Sequence, residues 1–182
     1  TSEVFLRLLE PEQGRVRVIS ADGAAQDLAE TEPTSWWRQI SWVPQRPVLL
    51  PGTIRSNLMP TDDVSSPDHG AHAPVPARVL EATRVTGLNE VIDSLPQGWD
   101  TPVGHAGTGL SVGQRQRLAL TRALVSTAPL VVMDEPTAHL DAASEAHVLD
   151  GLAALRASGR TVVVIAHRSS VLALADDVIT VS

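Results

Sequence analysis

The chain has 182 residues, and its hydrophobic share of 43% is typical of a folded domain and argues against a disordered one. A net charge of −7 argues mildly against a nucleic-acid partner, and the absence of cysteine excludes disulfides and thiolate metal sites. The longest apolar runs, such as Thr161–Ala166, are far shorter than the roughly 18 residues of a membrane span, so we expect any membrane anchor to lie outside this segment.

The first half of the chain predicts a short antiparallel edge, one buried strand and two helices. Arg15–Ser20 alternates in polarity before an Asp-Gly turn, which indicates a hairpin at a sheet edge. Ile40–Val43 is a short apolar run that ends on a polar cluster, as the buried strands of a parallel sheet do. Met59–Pro76 holds four prolines and is predicted to be a surface loop. Short helices are predicted at Val79–Val85 and Asn89–Leu95.

Strand and helix patterns alternate in the second half of the chain. Apolar runs predict buried strands at Leu130–Met133 and Thr161–Ile165, and the apolar residues of Ala142–Ser158 recur at the spacing of one helix face. The order strand, helix, strand implies a right-handed crossover and an α/β fold with a parallel sheet. Val178–Val181 is predicted to be one more strand.

Two carboxylates directly follow the first of these strands. Asp134 and Glu135 come after Leu130–Met133, and open α/β sheets bind their ligands beyond the carboxyl ends of the strands. The first carboxylate can hold Mg²⁺ through water, and the second can polarise an attacking water. Taken alone, the pair is also compatible with a solvated Asp-Glu turn, which is the more common explanation for such a dipeptide.

A capped helix start precedes the same strand. Ser111 is a favourable N-cap for a helix that continues through Leu118, Leu120 and Leu124. A helix start with free N–H groups, a serine and Gly113 is suited to binding an anion. Without other motifs, a capped surface helix is the simpler explanation.

Five motifs in chain order resemble those of the ABC ATPase family. They are Gln45, Leu110–Gln114 (Leu-Ser-Val-Gly-Gln), Asp134–Thr137 (Asp-Glu-Pro-Thr), Leu140–Asp141 and Ala166–Arg168 (Ala-His-Arg). The resemblance covers essentially the whole chain and implies a P-loop NTPase core of the RecA-like type, with a parallel sheet and an antiparallel β edge. Residues 1–45 and 126–182 would form this core, and residues 46–125 would form an inserted α-helical lobe that carries the signature motif.

The resemblance also implies the chemistry of the site, with ATP and Mg²⁺ as its cofactors. Asp134 would hold the Mg²⁺ shell, and Glu135 would be the general base for the water that attacks the γ-phosphate. His167 would contact that phosphate and orient the water. Gln45 would sense both Mg²⁺ and the water, and would pass the state of the site to the membrane domain.

The signature motif would meet the nucleotide held by a partner subunit. The nucleotide-binding set implied by the resemblance is Ser111, Val112, Gly113, Gln114 and Asp141. Ser111 and Gly113 would cap the γ-phosphate, and Asp141 would lie at the dimer seam. Val112 replaces the usual second glycine of the signature, and Ala138-His139 replaces the commoner Ser-Ala before Leu140.

One element of the family pattern has no counterpart in these residues. The phosphate loop of P-loop NTPases carries a lysine that reaches the terminal phosphates, and this chain contains no lysine. Thr1–Leu9 resembles the helix that follows the phosphate loop, so we expect the lysine and the N-terminal strand to lie upstream. The 182-residue chain alone is therefore expected to be inactive, whereas the complete protein is expected to be an ABC-type ATPase and translocase.

Several segments are similar to those of exporters within the family. Arg46–Leu58 has Gly-Thr-Ile before an Asn-aliphatic pair, and Leu95–Gly104 leads to the signature. Ile40–Gln45 and Asp134–Asp141 are similar to the CydD half of the thiol exporter for cytochrome bd assembly. The resemblance implies export of glutathione or cysteine from the cytoplasmic face of the bacterial inner membrane. The implied partners are a transmembrane domain, in the same or an associated chain, and a second half-transporter in a head-to-tail heterodimer, but not nucleic acid.

Three alternatives stay open on the sequence. The protein could export another substrate, it could be a soluble ABC ATPase that acts on DNA or ribosomes, or it could be a catalytically silent half that only binds nucleotide. The acidic balance and the Gly-Thr-Ile segment argue against the soluble ATPase. The presence of Glu135 and His167 argues against the silent half.

Overall fold

The computed structural model describes residues 2–20, 23–59, 74–104, 109–138 and 140–180. The helices are α1 Ser2–Phe5, α2 Pro33–Trp37, α3 Ile54–Leu58, α4 Ala77–Val85, α5 Leu88–Ser94, α6 Val112–Val125, α7 Ala142–Ala157 and α8 Ser169–Leu172. The strands are β1 Arg17–Ile19, β2 Ala25–Asp27, β3 Ile40–Val43, β4 Gly52–Thr53, β5 Pro102–Val103, β6 Leu130–Asp134 and β7 Thr161–Ile165. Single turns of 3₁₀ helix cover Leu28–Glu30 and Gly98–Asp100.

A parallel sheet with the order β3-β6-β7 lies at the centre of the described chain. In its register Val43 is opposite Met133, and Asp134 is opposite Ile165. The middle strand β6 is buried through Val131, Val132 and Met133, which explains its continuous apolar run. Because β6 and β7 are parallel and α7 connects them, the α/β fold predicted from the sequence is confirmed.

Two antiparallel strand pairs accompany this sheet. Strands β1 and β2 form the hairpin predicted near Arg15–Ser20, and residues 21–22 of its turn lie outside the described residues. Strand β4, which precedes α3, pairs with β5. Gly104 has φ +91°, and a Cβ at this position would lie 2.7 Å from Cα of Pro51. Glycine is therefore required for the chain to pass so close to Pro51.

Helix α6 is shared by two apolar clusters. One cluster lies among α3, α4, α5 and α6, and it includes Ile54, Leu88 and Leu118. The other joins α6 and α7 to the sheet, and it includes Leu120 and Met133. Residues two positions apart on α6 thus face different cores. The division into an α/β core and a lobe of residues 46–125 stays a prediction.

The N-terminal helix is shorter than the Thr1–Leu9 helix that the family resemblance implied. Helix α1 ends at Phe5, and Arg7 has a left-handed backbone with φ 55°. The Arg7 amide donates to the Val4 carbonyl at 3.1 Å, and the Leu8 amide donates to the Glu3 carbonyl at 2.8 Å. These two bonds form a Schellman cap, which ends the helix after its first turn.

The strand predicted at Val178–Val181 is wrong over residues 178–180, which are in no sheet. A strand needs a neighbour for its N–H and C=O groups, and Ile179 is 86% exposed, with no strand of the described chain beside it. Val181 lies outside the described residues, as do residues 60–73 of the loop predicted at Met59–Pro76.

A glycine in α7 sets the distance between α6 and α7. A Cβ on Gly151 would lie 2.9 Å from Cγ of Leu120, whose side chain is almost fully buried. We expect Gly151→Ala to lower the free energy of unfolding by about 1–3 kcal/mol because of this overlap. The overlap outweighs the gain in helix propensity of about 1 kcal/mol. Chemical denaturation of both proteins measures the difference.

A second substitution tests the cause of this loss. Leu120→Val removes the two δ-methyl groups of Leu120, including Cδ2, which is the atom nearest to the added Cβ. Gly151→Ala should therefore cost less stability in a Leu120→Val background than in the unmodified chain. An increase in stability of the Gly151→Ala variant would show that α6 and α7 are not in close contact at this position.

Candidate active site

The turn after β6 has an unusual backbone at Glu135. Its φ is 42°, a conformation that side chains other than glycine rarely adopt. The Glu135 amide donates to the Ile165 carbonyl at 2.8 Å, and the Glu135 carbonyl accepts from the Ala138 amide at 3.0 Å. The sheet and the turn together hold this conformation, whose strain is of order 1–3 kcal/mol. Such strain is often found where a side chain must point in a functional direction.

The Glu135 carboxylate contacts side chains that follow both neighbouring strands. Gln45 Nε2 donates to Glu135 Oε2 at 2.8 Å, and His167 Nε2 lies 3.3 Å from Glu135 Oε1. Gln45 follows β3 and His167 follows β7, so both reach Glu135 from the carboxyl ends of the flanking strands. The side chain of Glu135 is 32% exposed and that of His167 is 82% exposed. Water and a polar ligand can therefore reach both groups.

Asp134 supplies a second carboxylate at the same edge of the sheet. It is the last residue of β6 and is partly buried. Gln45 uses its amide nitrogen for Glu135, so its side-chain carbonyl oxygen is the atom that can accept or bind a cation. Within the described residues, no group of three or more histidines and carboxylates forms a complete metal cage. One carboxylate plus an amide oxygen suits Mg²⁺, which typically shares its ligands with water and substrate phosphates.

The start of α6 forms a complete capping box. The Ser111 hydroxyl accepts from the Gln114 amide at 3.2 Å, and the Gln114 side-chain oxygen accepts from the Ser111 amide at 2.8 Å. Val112 is exposed beside this cap. A Cβ on Gly113 would lie 2.9 Å from the hydroxyl oxygen of Ser144 in α7. Gly113 therefore has a packing reason as well as the anion-binding reason that the sequence indicated.

The first turn of α7 lies against this helix start. Asp141 is the N-cap of α7, and its carboxylate accepts from the Ser144 amide at 2.7 Å. Arg117 of α6 lies 3.5 Å from the Ser144 hydroxyl and donates to the Gly87 carbonyl at 3.2 Å. Neither Ser144 nor Arg117 was predicted from the sequence to have a role. The signal that could have revealed them is the spacing of Gly113 and Arg117, which places both on one face of α6.

The predicted site residues fall into two groups in the structure. Gln45 and His167 each contact Glu135, and Asp134 is next to Glu135 in the chain. The signature residues 111–114 and Asp141 form the second group. Within the described ranges, no hydrogen bond joins the second group to the first three side chains.

The Asp141 cap predicts a pH dependence of stability. The hydrogen bond from the Ser144 amide is the main cause that lowers the pKa of Asp141 below its ordinary value of 3.8. The ionised carboxylate therefore stabilises the fold above that pH, and this contribution is lost as the pH falls through the lowered pKa. We expect Asp141→Asn to melt at a lower temperature than the unmodified protein from about pH 7 to about pH 5.

Below about pH 3.8 the difference in melting temperature should shrink, because protonation removes the same charge that asparagine lacks. Thermal unfolding of both proteins across this range is the measurement. A difference that does not change with pH would contradict the role of the ionised cap.

The family of the chain follows from its similarity to known proteins. A family model described as "ABC transporter" matches residues 2–138. The chain therefore belongs to the ABC transporter family. It is 34% identical to a solved structure titled "Structure of a bacterial Atm1-family ABC exporter with ATP bound", with a TM-score of 0.70 over 94% of this chain and 27% of that one. It is a nucleotide-binding domain of the exporter type.

Curated relatives agree with this class. The chain is 42% identical over 174 residues to an ATP-dependent lipid A-core flippase of Ralstonia nicotianae. The alignment covers 95% of this chain and 27% of the flippase. It is also 40% identical over 174 residues to the mycobactin import ATP-binding/permease protein IrtB of Mycobacterium bovis. This alignment covers 96% of this chain and 28% of IrtB. The chain thus spans about a quarter of the length of these relatives. In the described ranges, no helix is long and apolar enough to cross a membrane.

Proposed function

We propose that the chain is the ATP-hydrolysing motor of an ABC exporter on the cytoplasmic face of the bacterial inner membrane. The observation that carries this proposal is the convergence of Gln45 and His167 on the Glu135 carboxylate, at 2.8 and 3.3 Å. Membership of the ABC transporter family and the likeness to an exporter support the transport role.

Glu135 is the general base of the proposed reaction. Its carboxylate takes a proton from water as the water oxygen attacks the γ-phosphorus of ATP. The bond from that phosphorus to the bridging oxygen breaks, and ADP and inorganic phosphate leave. The Gln45 amide fixes one carboxylate oxygen of Glu135, and the exposed His167 ring can donate to the γ-phosphate and orient the water.

Asp134 and the side-chain carbonyl of Gln45 would hold Mg²⁺ in this site. The ion, when bound, neutralises part of the charge on the phosphates. A carboxylate and an amide oxygen fit this ion, which typically takes its other ligands from water and substrate phosphates. Asp134 would act through its charge at the end of β6. Gln45 would link the metal to the base, because its amide oxygen would bind Mg²⁺ while its amide nitrogen donates to Glu135.

The signature residues are proposed to act on the nucleotide of a second half-transporter. The capped start of α6 presents N–H groups and the positive end of the helix, both of which favour phosphate. In the head-to-tail arrangement that the family resemblance implies, Ser111, Val112, Gly113 and Gln114 would face the partner's ATP. Asp141 would then lie at the seam between the two subunits, in a heterodimer that also includes the transmembrane domains.

A small thiol such as glutathione or cysteine is the proposed cargo. This part of the proposal rests on the segments Ile40–Gln45, with Trp42, and Asp134–Asp141. The relatives named above are described for lipid A-core and for mycobactin, so cargo differs among similar proteins. The cargo therefore needs its own experiment.

Inside-out membrane vesicles that contain the complete transporter test the proposal. We expect ATP to drive uptake of labelled glutathione or cysteine, and we expect vesicles with Glu135→Gln to show none. ATP-driven uptake of an unrelated compound without thiol uptake would contradict the cargo but not the motor function. A transporter without ATP hydrolysis would contradict the motor function itself.

A further inference from the structure

Glu145 joins the start of α7 to the segment that follows His167. One carboxylate oxygen accepts from the Arg168 guanidinium, and the other accepts from the Ser170 hydroxyl at 2.6 Å. The Glu145 side chain is only 18% exposed. Its backbone amide donates to the Asp141 carbonyl at 2.9 Å, in the first turn of the helix that Asp141 caps. Glu145 is therefore fixed by its own helix and holds two donors at once.

The His167 ring has few contacts of its own in the described chain. It is highly exposed, and its one described side-chain interaction is with Glu135. Its position therefore depends on the backbone on either side. Before it, the Ile165 carbonyl accepts from the Glu135 amide at 2.8 Å. After it, Arg168 and Ser170 are the residues bound by Glu145.

We propose that Glu145 is a positioning residue for ATP hydrolysis, which acts through Arg168 and Ser170 to hold His167 against Glu135. This role rests on the proposed function of the Glu135 site. A partly exposed ion pair contributes little to overall stability. Geometry near reacting atoms is more sensitive, because a displacement of about 1 Å can cost up to about 10²-fold in rate. The expected effect of losing Glu145 therefore falls on turnover rather than on folding.

The experiment uses the complete transporter and four variants. Glu145→Gln keeps the size of the side chain and removes the charge that Arg168 meets, and Arg168→Met removes the other partner. We expect each to lower kcat for ATP by about tenfold, while KM for ATP stays within about twofold. The double variant should be no slower than either single variant, because both remove the same interaction.

Arg156→Gln is the matched control. Arg156 forms an ion pair with Asp176 at the opposite end of α7, and both side chains are more than half exposed. It makes the same kind of contact on the same helix but lies outside the proposed site. Its kcat should equal that of the unmodified transporter.

Hydrogen exchange of the amides in residues 165–170 provides a second readout. We expect faster exchange there in Glu145→Gln, with little change elsewhere. Unchanged exchange, unchanged kcat, or a double variant that is slower than each single variant by a further factor of about ten would overturn the positioning role. Absence of hydrolysis in the unmodified transporter would instead overturn the proposed function, and the positioning role with it.

Discussion

Glu135→Gln is expected to slow ATP hydrolysis by the complete transporter by about 10²-fold or more, with ATP binding largely intact. Glutamine keeps the shape of the side chain and can still contact Gln45 and His167, but its amide cannot take a proton from water. The loss therefore falls on the chemical step. Steady-state hydrolysis and equilibrium binding of a labelled ATP analogue measure the two quantities separately.

Glu90→Gln is the matched control for this experiment. Glu90 is an exposed carboxylate in the first turn of α5. Its substitution by glutamine is the same chemical change as Glu135→Gln, but outside the proposed site. Its rate should match that of the unmodified transporter. Near-normal turnover in Glu135→Gln would mean that Glu135 is not the base. Loss of ATP binding would mean that the substitution also disturbs the proposed Mg²⁺ ligands, Asp134 and Gln45.

Ser111→Asp is expected to abolish productive closure over the partner's ATP, with a loss of hydrolysis of about 10²-fold. Aspartate is as good an N-cap as serine, so the start of α6 should stay folded. Its negative charge would repel the γ-phosphate that the helix start is proposed to contact. Binding of ATP to the subunit that carries the substitution should be unaffected. In the proposed arrangement, Ser111 does not belong to the site that Gln45, Glu135 and His167 form in its own subunit.

Ser111→Asn separates charge from size in this test. Asparagine has nearly the same shape as aspartate and also caps helices, but it carries no charge. We expect it to retain far more activity than Ser111→Asp. Photolabelling of each half-transporter with an azido-ATP analogue shows which nucleotide is affected. Loss of labelling on the mutated half, with normal closure at the other site, would contradict the head-to-tail arrangement.

The elements that matter most for the site could be predicted from the sequence for a clear physical reason. Ile40–Val43 and Thr161–Ile165 are mostly apolar runs of strand length, and both have the predicted bounds. They are less buried than predicted, since Val43 is the one buried residue of the two strands and Trp42 is 44% exposed. The helix after Ser111 was predictable because the serine caps it and leucines follow at helical spacing. The ABC transporter family followed from the order of several short motifs, each of which was ambiguous alone.

Other features depend on tertiary contacts that no local pattern shows. Helix α1 ends early because Arg7 adopts a left-handed conformation, which arginine does not signal in a sequence. Val178–Val181 has the composition of a strand but no neighbour in the described sheet. The contacts of Glu145 with Arg168 and Ser170 join residues more than 20 positions apart, so no local pattern in the sequence indicates a role for Glu145.

A structure of the complete Glu135→Gln transporter trapped with ATP and Mg²⁺ would show whether Glu135 and His167 face the γ-phosphate. We expect the γ-phosphate bound to each active subunit to lie within about 3.5 Å of His167 and one water molecule away from residue 135 of the same subunit. The same phosphate should face Ser111 and Gly113 of the opposite subunit, if both halves carry the motif. A γ-phosphate remote from residue 135 and His167 would contradict the role of Glu135 as the base, and one that contacts Ser111 of its own subunit would contradict the head-to-tail arrangement.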